Sequence, residues 1–409
     1  MKHPGTELVR PPDLPEGGKS LSPPVHHSTA FAQEDPEQLE EVFAGREFGY
    51  VYTRLGNPTL SGLEQKLTRL EGGIGGVCAP SGMAAITGSI LTLARAGDHV
   101  VASSSLFGGT YELFSKILPD YGITTTFVEA TEPQQFADAV EDNTRLFFVE
   151  SIGNPRLDVP DLEEISKVAA DFKLPLAVDN TSATPVLMKP KEINAALAIH
   201  STTKFINGHG NAIGGMTVDT GCFNWQNNPH LVDPHEEHGD FAFIAELRRR
   251  AYTHFGLCQS PADARDTLVG LDTLQVRINK QCQNSLELSR HLKKLPQIEE
   301  ICYPGLENHP DHRVAQKQFG DKFGAIITVK LENKEKCFRC LEELEIPFNA
   351  VNIGDTRTLA IHPASTIYRN SSAEEKKLVG VTENMLRICV GLENIDDLKA
   401  DFARALQEI

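Results

Sequence analysis

The chain has 409 residues, of which 40% are hydrophobic and 23% charged, and its formal net charge is −17. This acidic balance argues against a nucleic-acid partner, and no apolar run approaches the roughly 18 residues that span a bilayer, which argues against a membrane partner. The polar, proline-rich start lacks the apolar region of a secretory signal, so we expect a cytoplasmic protein. Because one hydrophobic core rarely grows beyond about 300 residues, we expect one large and one small domain.

The first 55 residues contain many prolines and no sustained hydrophobic period. We expect residues 1–55 to form an extended arm that lies on a neighbouring subunit.

Residues 56–254 alternate short apolar runs with amphipathic stretches, such as the helical pattern over 82–96. Continuous apolar strands separated by helices predict an α/β domain with a mainly parallel sheet, covered on both faces. The predicted strands are GGVCAP (75–80), DHVVAS (98–103), TTTFVEA (124–130), RLFFVES (145–151), LPLAVDN (174–180) and AALAIHS (195–201).

Residues 255–409 have a different layout and predict a smaller α+β domain. A long helical pattern over 261–295 comes first, apolar runs over 325–331 and 358–365 predict strands, and an amphipathic helix over 394–409 closes the chain.

Two clusters of potential metal or redox ligands are given structural interpretations. Cys337 and Cys340 form a CxxC, but its surroundings have a helical period and no preceding strand, so we favour a structural role over a redox one. His235 and His238 are spaced i, i+3 rather than the i, i+4 of a helical zinc site, so no metal is expected. The remaining scattered cysteines, including Cys78, are typical of reduced, buried thiols.

Three predicted strand ends carry unusual residues, and a parallel sheet brings such ends to one edge. Ser81, Gly82 and Met83 open a helix and suit an anion. Asp179 follows an apolar strand. Lys204 follows another apolar strand, directly after the hydroxyl residues Ser201, Thr202 and Thr203. Taken singly they are consistent with a helix cap, a turn and a surface lysine. Together they match pyridoxal 5′-phosphate, which needs a phosphate anchor, a partner for its ring nitrogen and a Schiff-base lysine.

Several motifs resemble the cystathionine γ-synthase-like group of the Cys/Met-metabolism pyridoxal-phosphate enzymes, which have fold type I. The motifs are GYVYTRLGNPT, APSGMAAI, ESIGNP, VDNTSATP, HSTTKFINGHG, LAIHPAST and LRICVGLENIDDL. The resemblance implies a fold of this type, with a seven-stranded-type sheet, a smaller C-terminal domain and an N-terminal arm. It also implies a homotetramer of two active-site dimers.

The resemblance assigns a role to each matching residue. Lys204 would be the Schiff-base lysine, and Asp179 would keep the ring nitrogen protonated. The phosphate site would add Ser201 and Thr203 to the helix start at Ser81, Gly82 and Met83, together with Tyr52 and Arg54 from the neighbouring subunit. The remaining roles are Phe107 stacking on the ring, Asn154 bonding the phenolic oxygen, Asn352 contacting the substrate and Arg387 binding the substrate carboxylate.

Phe107 and Asn352 point to one reaction within the group. Many members have a tyrosine where this chain has Phe107, and a phenyl ring has no hydroxyl to protonate a leaving group. The NIGD form after Val351 resembles the O-acetylhomoserine sulfhydrylases. The favoured reaction is therefore γ-replacement on O-acetyl-L-homoserine by sulfide, giving L-homocysteine and acetate.

The sequence also allows other functions. They are a methionine or cystathionine γ-lyase, an O-succinylhomoserine sulfhydrylase or cystathionine γ-synthase, and a phosphate-binding protein of the same fold without catalysis.

Overall fold

A computed structural model describes residues 4–12 and 21–409 of the chain. The strands are β1 Gly75–Ala79, β2 His99–Ser103, β3 Thr124–Val128, β4 Thr144–Glu150, β5 Leu176–Asp179, β6 Leu197–His200, β7 Gly215–Asp219, β8 Glu300–Cys302, β9 Ile326–Lys330, β10 Leu359–Ile361 and β11 Met385–Cys389.

The α-helices vary from single turns to 19 residues. They are α1 Pro4–Leu8, α2 Pro36–Phe43, α3 Pro58–Glu71, α4 Gly82–Leu93, α5 Gly108–Glu112, α6 Leu118–Asp120, α7 Pro133–Asp138, α8 Leu162–Asp171, α9 Thr184–Leu187, α10 Val232–His238, α11 Ala242–Leu247, α12 Pro261–Asp272, α13 Leu274–Leu292, α14 His312–Phe319, α15 Lys334–Glu343, α16 Ala373–Leu378 and α17 Ile395–Gln407. Two π-helices, Leu113–Ile117 and Arg248–His254, extend α5 and α11.

The larger sheet has seven strands in the order β1-β7-β6-β5-β4-β2-β3. Strands β3, β2, β4, β5 and β6 are parallel to one another, whereas β7 is antiparallel to both β1 and β6. The residues Leu146–Val149 of β4 are completely buried, as expected for a sheet covered on both faces. The predicted strands are all present, and β7 is an additional strand that is not predicted from the sequence.

The smaller sheet is antiparallel, with strand order β10-β11-β9-β8. Helices α13 and α17 pack against each other beside it, and α15 packs against α17 and β11. The sequence predicts β9 and β10 but neither β8 nor β11. Strand β8 has three residues, too few for a hydrophobic period.

Two segments show more detail than the sequence patterns predict. The helical pattern over 261–295 forms two helices, α12 and α13, with Thr273 between them. The N-terminal arm is also partly helical, and Leu8 of α1 is buried, with 1% of its surface exposed, because α1 packs against α3 and α13 of its own chain. Residues 1–3 and 13–20 of the predicted arm lie outside the described residues.

Within the described ranges, no helix is both long enough and apolar enough to cross a membrane.

Candidate active site

A pocket of about 280 Å³ lies at the carboxyl edge of the larger sheet. Its lining comes from strands β4, β5 and β11, the start of α4, the loop after β6 and the loop before β10, among other segments. Its lining contains eleven of the predicted site residues, namely Ser81, Gly82, Met83, Phe107, Asn154, Asp179, Ser201, Thr203, Lys204, Asn352 and Arg387. Residues from the parts of the chain that form the larger and the smaller sheet therefore meet in one cavity.

The start of α4 forms a concave backbone surface against the loop after β6. Ser81 caps the helix, and its hydroxyl accepts a hydrogen bond from the backbone N–H of Ala84 at 3.1 Å. A Cβ atom at Gly82 would lie 2.5 Å from the Cβ of Ser201, so only glycine fits there. Because the first backbone N–H groups of a helix have no partner within the helix, this surface suits an anion such as a phosphate.

The loop after β6 is held by local hydrogen bonds. Thr203 Oγ1 accepts from the backbone N–H of Gly214 at 3.0 Å and lies 3.1 Å from the carbonyl of the same residue. The backbone N–H of Ser201 donates to Thr181 Oγ1 at 2.8 Å. These bonds fix the loop that carries Lys204.

Asp179 lies at the end of β5, and its Oδ1 accepts from the backbone N–H of Thr181 at 3.0 Å. Burial raises the pKa of this carboxyl. A partly buried carboxylate is stabilised by a positively charged or donating partner, and a protonated ring nitrogen is such a partner. The chemistry of Asp179 therefore fits the predicted cofactor.

Lys204 is directed into the pocket, and its Nζ donates to Asn352 Oδ1 at 2.7 Å. Burial, followed by the charge of Arg387, lowers the pKa of the Lys204 amine to about 8. An amine with this pKa is partly neutral near physiological pH, and the neutral amine is the nucleophile that attacks an aldehyde carbon.

Arg387 lies on β11 and is 3% exposed. Its Nη2 donates to the carbonyl of Asn352 at 3.0 Å, and its Nη1 donates to Asn154 Oδ1 at 3.3 Å. Its Nε is buried without a hydrogen-bond partner among the described residues. A guanidinium held in this way retains donors for a carboxylate.

Glu150 also lines the pocket and is a site residue that is not predicted from the sequence. It pairs in register with Asp179, and its Oε1 accepts from the backbone N–H of Phe107 at 2.6 Å. Burial and the nearby charge of Asp179 raise the pKa of this carboxyl well above its usual range. A signal existed in the sequence, because Glu150 ends an apolar strand just as Asp179 does.

Tyr52 and Arg54 do not line the pocket of their own chain. The Arg54 guanidinium lies 5.6 Å from the centre of the Tyr52 ring and donates to the carbonyl of Thr253. Tyr52 is 40% exposed. Their contact with the site of a neighbouring subunit stays a prediction.

Tyr111, which is close to Phe107 in the chain, does not line the pocket either. Its ring packs on Phe127 with 4.8 Å between the ring centres. Among the described residues of this chain that line the pocket there is no tyrosine. The hydroxyl of Tyr368 lies nearby and donates to the carbonyls of Leu106 at 3.5 Å and Asn154 at 3.2 Å.

The other clusters lie elsewhere in the fold. Cys337 and Cys340 are buried on α15, and burial raises the pKa of both thiols to about 12, which leaves little reactive thiolate. His235 and His238 lie on α10. In the described part of the chain, no group of three or more His, Cys, Asp or Glu side chains is placed to hold a metal ion.

The donor set at the sheet edge fits pyridoxal 5′-phosphate. The glycine-lined helix start and the neighbouring hydroxyls suit the phosphate, the Asp179 carboxylate suits the ring nitrogen, and the amine of low pKa suits the aldehyde carbon. A sheet of this topology with this site defines a pyridoxal-phosphate-dependent enzyme of fold type I.

Comparison with known proteins identifies the family. The chain belongs to the Cys/Met metabolism PLP-dependent enzymes, whose family model matches residues 5–407.

Individual relatives match over almost the whole chain. It is 39% identical to O-acetyl-L-homoserine sulfhydrylase 1 of Thermus thermophilus, with 94% of each chain covered. It is 37% identical to L-methionine gamma-lyase of Fusobacterium nucleatum subsp. polymorphum, covering 99% of this chain and 98% of the relative.

A solved structure from Campylobacter jejuni has a TM-score of 0.93 and 30% identity, with 99% of this chain and 100% of that chain covered. It holds N′-pyridoxyl-lysine-5′-monophosphate at its position 205.

Proposed function

We propose that this protein catalyses γ-replacement on O-acetyl-L-homoserine, in which sulfide displaces acetate to give L-homocysteine. The observation that supports the proposal is the phenyl ring of Phe107 in a pocket to which the described residues of its own chain contribute no tyrosine. Acetate is a good leaving group and needs little help from an acid, whereas a thiolate leaving group needs a proton donor. Relatives named as O-acetylhomoserine sulfhydrylases support the same assignment.

The predicted residues are proposed to hold the cofactor as a set. Ser81, Gly82, Met83, Ser201 and Thr203 bind its phosphate, supported by the backbone surface at the start of α4. Asp179 binds the ring nitrogen, Phe107 stacks on the ring, Asn154 bonds its phenolic oxygen, and Lys204 bonds its aldehyde carbon. When bound, the cofactor acts as an electron sink for charge that develops on the substrate.

Lys204 is proposed to act as the base and proton carrier. After release from the cofactor, its amine takes the proton from Cα of the substrate and transfers protons at Cβ. A lowered amine pKa supports this role, because a general base works best when its pKa is near the working pH. Asn352 Oδ1 is the hydrogen-bond partner that restrains the amine between transfers.

Arg387 and Asn352 are proposed to position the substrate. The free Nε of Arg387 and its two anchored nitrogens form a rigid fork, which suits a carboxylate. Binding the α-carboxylate there places Cα near Lys204. In the displacement, the C–O bond at Cγ breaks with release of acetate, and a C–S bond forms from sulfide.

Tyr52 and Arg54 are proposed to complete the phosphate site of a neighbouring subunit, in a tetramer of two active-site dimers. Their exposure and their place outside their own pocket support this arrangement. We further propose a cytoplasmic protein with an arm over 1–55, a cofactor domain over 56–254 and a small domain over 255–409.

A γ-lyase acting on methionine is the second candidate, because relatives named L-methionine gamma-lyase are 35% and 37% identical over 99% of the chain. The two candidates share the steps at Cα and differ in the reaction that comes after loss of the γ-substituent. A replacement enzyme adds a thiol at that stage, whereas a lyase releases 2-oxobutanoate and ammonia.

Product analysis separates the candidates. The holoenzyme is given O-acetylhomoserine, O-succinylhomoserine and methionine in turn, with and without sulfide, and homocysteine and 2-oxobutanoate are quantified. We expect sulfide-dependent homocysteine from O-acetylhomoserine as the main product. Sulfide-independent 2-oxobutanoate from methionine as the main product would overturn the proposal.

The role of Lys204 is tested separately by absorbance. Lys204→Ala is expected to lack the yellow chromophore that borohydride bleaches in the natural protein. Lys294→Ala, which changes an exposed lysine, should retain the chromophore. A bleachable chromophore in Lys204→Ala would assign the covalent link to another lysine.

A further inference from the structure

Arg277 lies near the start of α13 and is 4% exposed. Its guanidinium donates to three backbone carbonyls, those of Phe205 at 2.7 Å, Ile206 at 3.1 Å and Gly270 at 2.7 Å. Phe205 and Ile206 are the two residues that directly follow Lys204 in the chain. A buried side chain of α13 therefore binds the backbone next to the lysine.

The backbone after Lys204 needs such a donor. Phe205 and Ile206 are completely or almost completely buried, and buried carbonyls outside a helix or strand require hydrogen-bond partners. The planar fork of an arginine can satisfy several carbonyls at once, which a lysine ammonium does less well. Gly208, with a φ of +76°, leaves room for this fork, because a Cβ atom there would clash with Arg277 Nη1.

The same face of α13 also holds the loop that contains Asn352. Gln281, four residues after Arg277, is 1% exposed, and its Nε2 donates to the carbonyls of Asp355 at 2.8 Å and Val390 at 3.2 Å. The amide oxygen of Gln281 has no hydrogen-bond partner among the described residues, so its contact with these segments is through the nitrogen alone.

The loop after Lys204 and the loop that contains Asn352 also bind each other. The backbone N–H of Thr356 donates to the carbonyl of Gly208 at 3.0 Å, and the backbone N–H of Gly208 donates to the carbonyl of Lys204 at 2.8 Å. Helix α13 therefore fixes the two segments whose side chains form the 2.7 Å hydrogen bond between Lys204 Nζ and Asn352 Oδ1.

The predicted phosphate site is held by other bonds. Ser201 and Thr203, which come before Lys204, bond to Thr181 and Gly214 and not to α13. Loss of the Arg277 contacts should therefore affect the position of the lysine more than the binding of the phosphate.

We propose that Arg277 is a positioning residue for Lys204, and that its bonds to the two carbonyls after the lysine hold the amine where it meets the aldehyde carbon of the cofactor. The proposal rests on the proposed covalent link at Lys204 and not on the choice of substrate. Lys204→Ala tests that link on its own, because it should form no chromophore at all, whereas a variant of Arg277 should form the chromophore slowly.

The experiment separates cofactor binding from the covalent step. Apoenzyme of the natural protein and of Arg277→Lys is mixed with saturating pyridoxal 5′-phosphate, and the first-order growth of the yellow chromophore is recorded. The dissociation constant of pyridoxine 5′-phosphate, which has the same phosphate and ring nitrogen but no aldehyde, is measured separately. Lysine keeps the charge but lacks the planar fork. We expect the rate constant to fall roughly tenfold or more, and the dissociation constant to change by less than about twofold.

Gly208→Ala provides a second variant, which decides the question if Arg277→Lys does not fold. Its methyl group displaces the guanidinium from the carbonyls without removing it, so the rate constant should fall here too. Gly320→Ala is its control, because Gly320 has a φ of +69° and, among the described residues, open space around an added Cβ. This control should form the chromophore at the natural rate.

Arg145→Lys is the matched control for Arg277→Lys. The Arg145 side chain is 20% exposed near the start of β4, outside the pocket, and donates to Asp98 Oδ1 at 2.7 Å and to the carbonyl of Thr144 at 3.1 Å. This variant should lower the unfolding temperature and leave both measurements unchanged. The proposal is wrong if Arg277→Lys and Gly208→Ala keep the natural rate constant, or if their affinity for pyridoxine 5′-phosphate falls by the same factor as the rate constant.

Discussion

Lys204 and Asn352, which are 148 positions apart in the chain, form a hydrogen bond of 2.7 Å between the amine and the amide oxygen. The main-chain carbonyl of the same asparagine accepts a hydrogen bond from Arg387. One residue of the smaller α+β region therefore contacts both the proposed base and the proposed carboxylate ligand. A change at Asn352 is expected to affect proton transfer and substrate binding together.

Replacement of Asn352 should move the pKa of Lys204 in a direction set by charge. Asn352→Asp places a carboxylate beside the amine, which stabilises the charged form and raises its pKa, whereas Asn352→Leu removes an acceptor and lowers it. Since the neutral amine attacks the cofactor, the rate at which apoenzyme takes up pyridoxal 5′-phosphate should rise with pH through a midpoint near 8. We expect that midpoint to increase by about one pH unit or more in Asn352→Asp.

Asn333→Asp is the control for this measurement, because Asn333 caps α15 outside the pocket and aspartate caps a helix equally well. A midpoint that is the same in Asn352→Asp, Asn352→Leu and Asn333→Asp would refute the coupling.

Lys204 should also reduce the stability of the apoenzyme at neutral pH. Its pKa falls from 10.5 to about 8 in the folded state, so the unfolded chain binds more protons between these values and stability rises with pH through this window. Below pH 8 the amine is charged in both the folded and the unfolded state, so the free energy of unfolding is lowered by the full cost of burying that charge. Lys204→Met removes it and should raise the free energy of unfolding at pH 7 by on the order of 2 kcal/mol.

Denaturant unfolding of the apoenzyme at several pH values measures this effect. The advantage of Lys204→Met should shrink as the pH rises from 8 to 10.5, whereas the exposed Lys294→Met should show no such dependence. An advantage that does not change with pH would mean that the gain comes from packing alone.

Phe107→Tyr should shift the balance between replacement and elimination. The added hydroxyl provides a proton donor for a thiolate leaving group, and general acid catalysis contributes about 10²-fold or more when the donor is well placed. We expect the rate of 2-oxobutanoate formation from methionine to rise at least tenfold relative to homocysteine formation from O-acetylhomoserine. Phe107→Leu, which removes the ring, should instead weaken cofactor binding. Equal product ratios in the natural protein and Phe107→Tyr would remove the main support for the proposed reaction.

Gly82→Ala should impair cofactor binding. The new methyl group would lie 2.5 Å from the Cβ of Ser201, so the helix start and the loop after β6 must separate. We expect the dissociation constant of the cofactor to rise tenfold or more, together with a loss of about 1–3 kcal/mol in stability. Gly305→Ala makes an equally close contact, 2.5 Å to Tyr303, outside the pocket. It should lose stability but keep its cofactor affinity, and a similar loss of affinity in both variants would contradict the prediction.

The sequence predicts which side chains meet at the sheet edge, because the signals are local. Asp179 and Lys204 follow apolar strands, and a parallel sheet brings such ends to one edge whatever the details of packing. The same rule applies to Glu150, which ends the apolar strand β4 just as Asp179 ends β5.

Features that depend on contacts between distant segments are not predicted. Leu8 is buried because α1 packs against α3 and α13. The first twelve residues contain no pattern that indicates this contact with two distant helices. The hydrogen bond between Lys204 and Asn352 depends likewise on how the two sheets pack. The CxxC on α15 is predicted correctly from local signals. The helical pattern around its two cysteines predicts that they lie on a helix, and they do.

Strand β7 lies between β1 and β6 and pairs with both of them, whereas β1 and β6 do not pair with each other. Gly215, its first residue, packs so closely on the carbonyl of Ser81 that a side chain there would clash. The helix start at Ser81 and the loop after β6 are therefore held together by a strand that comes much later in the chain than Ser81, and Arg387 comes later still. During protein synthesis, the lining of the pocket is therefore incomplete until Arg387 has been made.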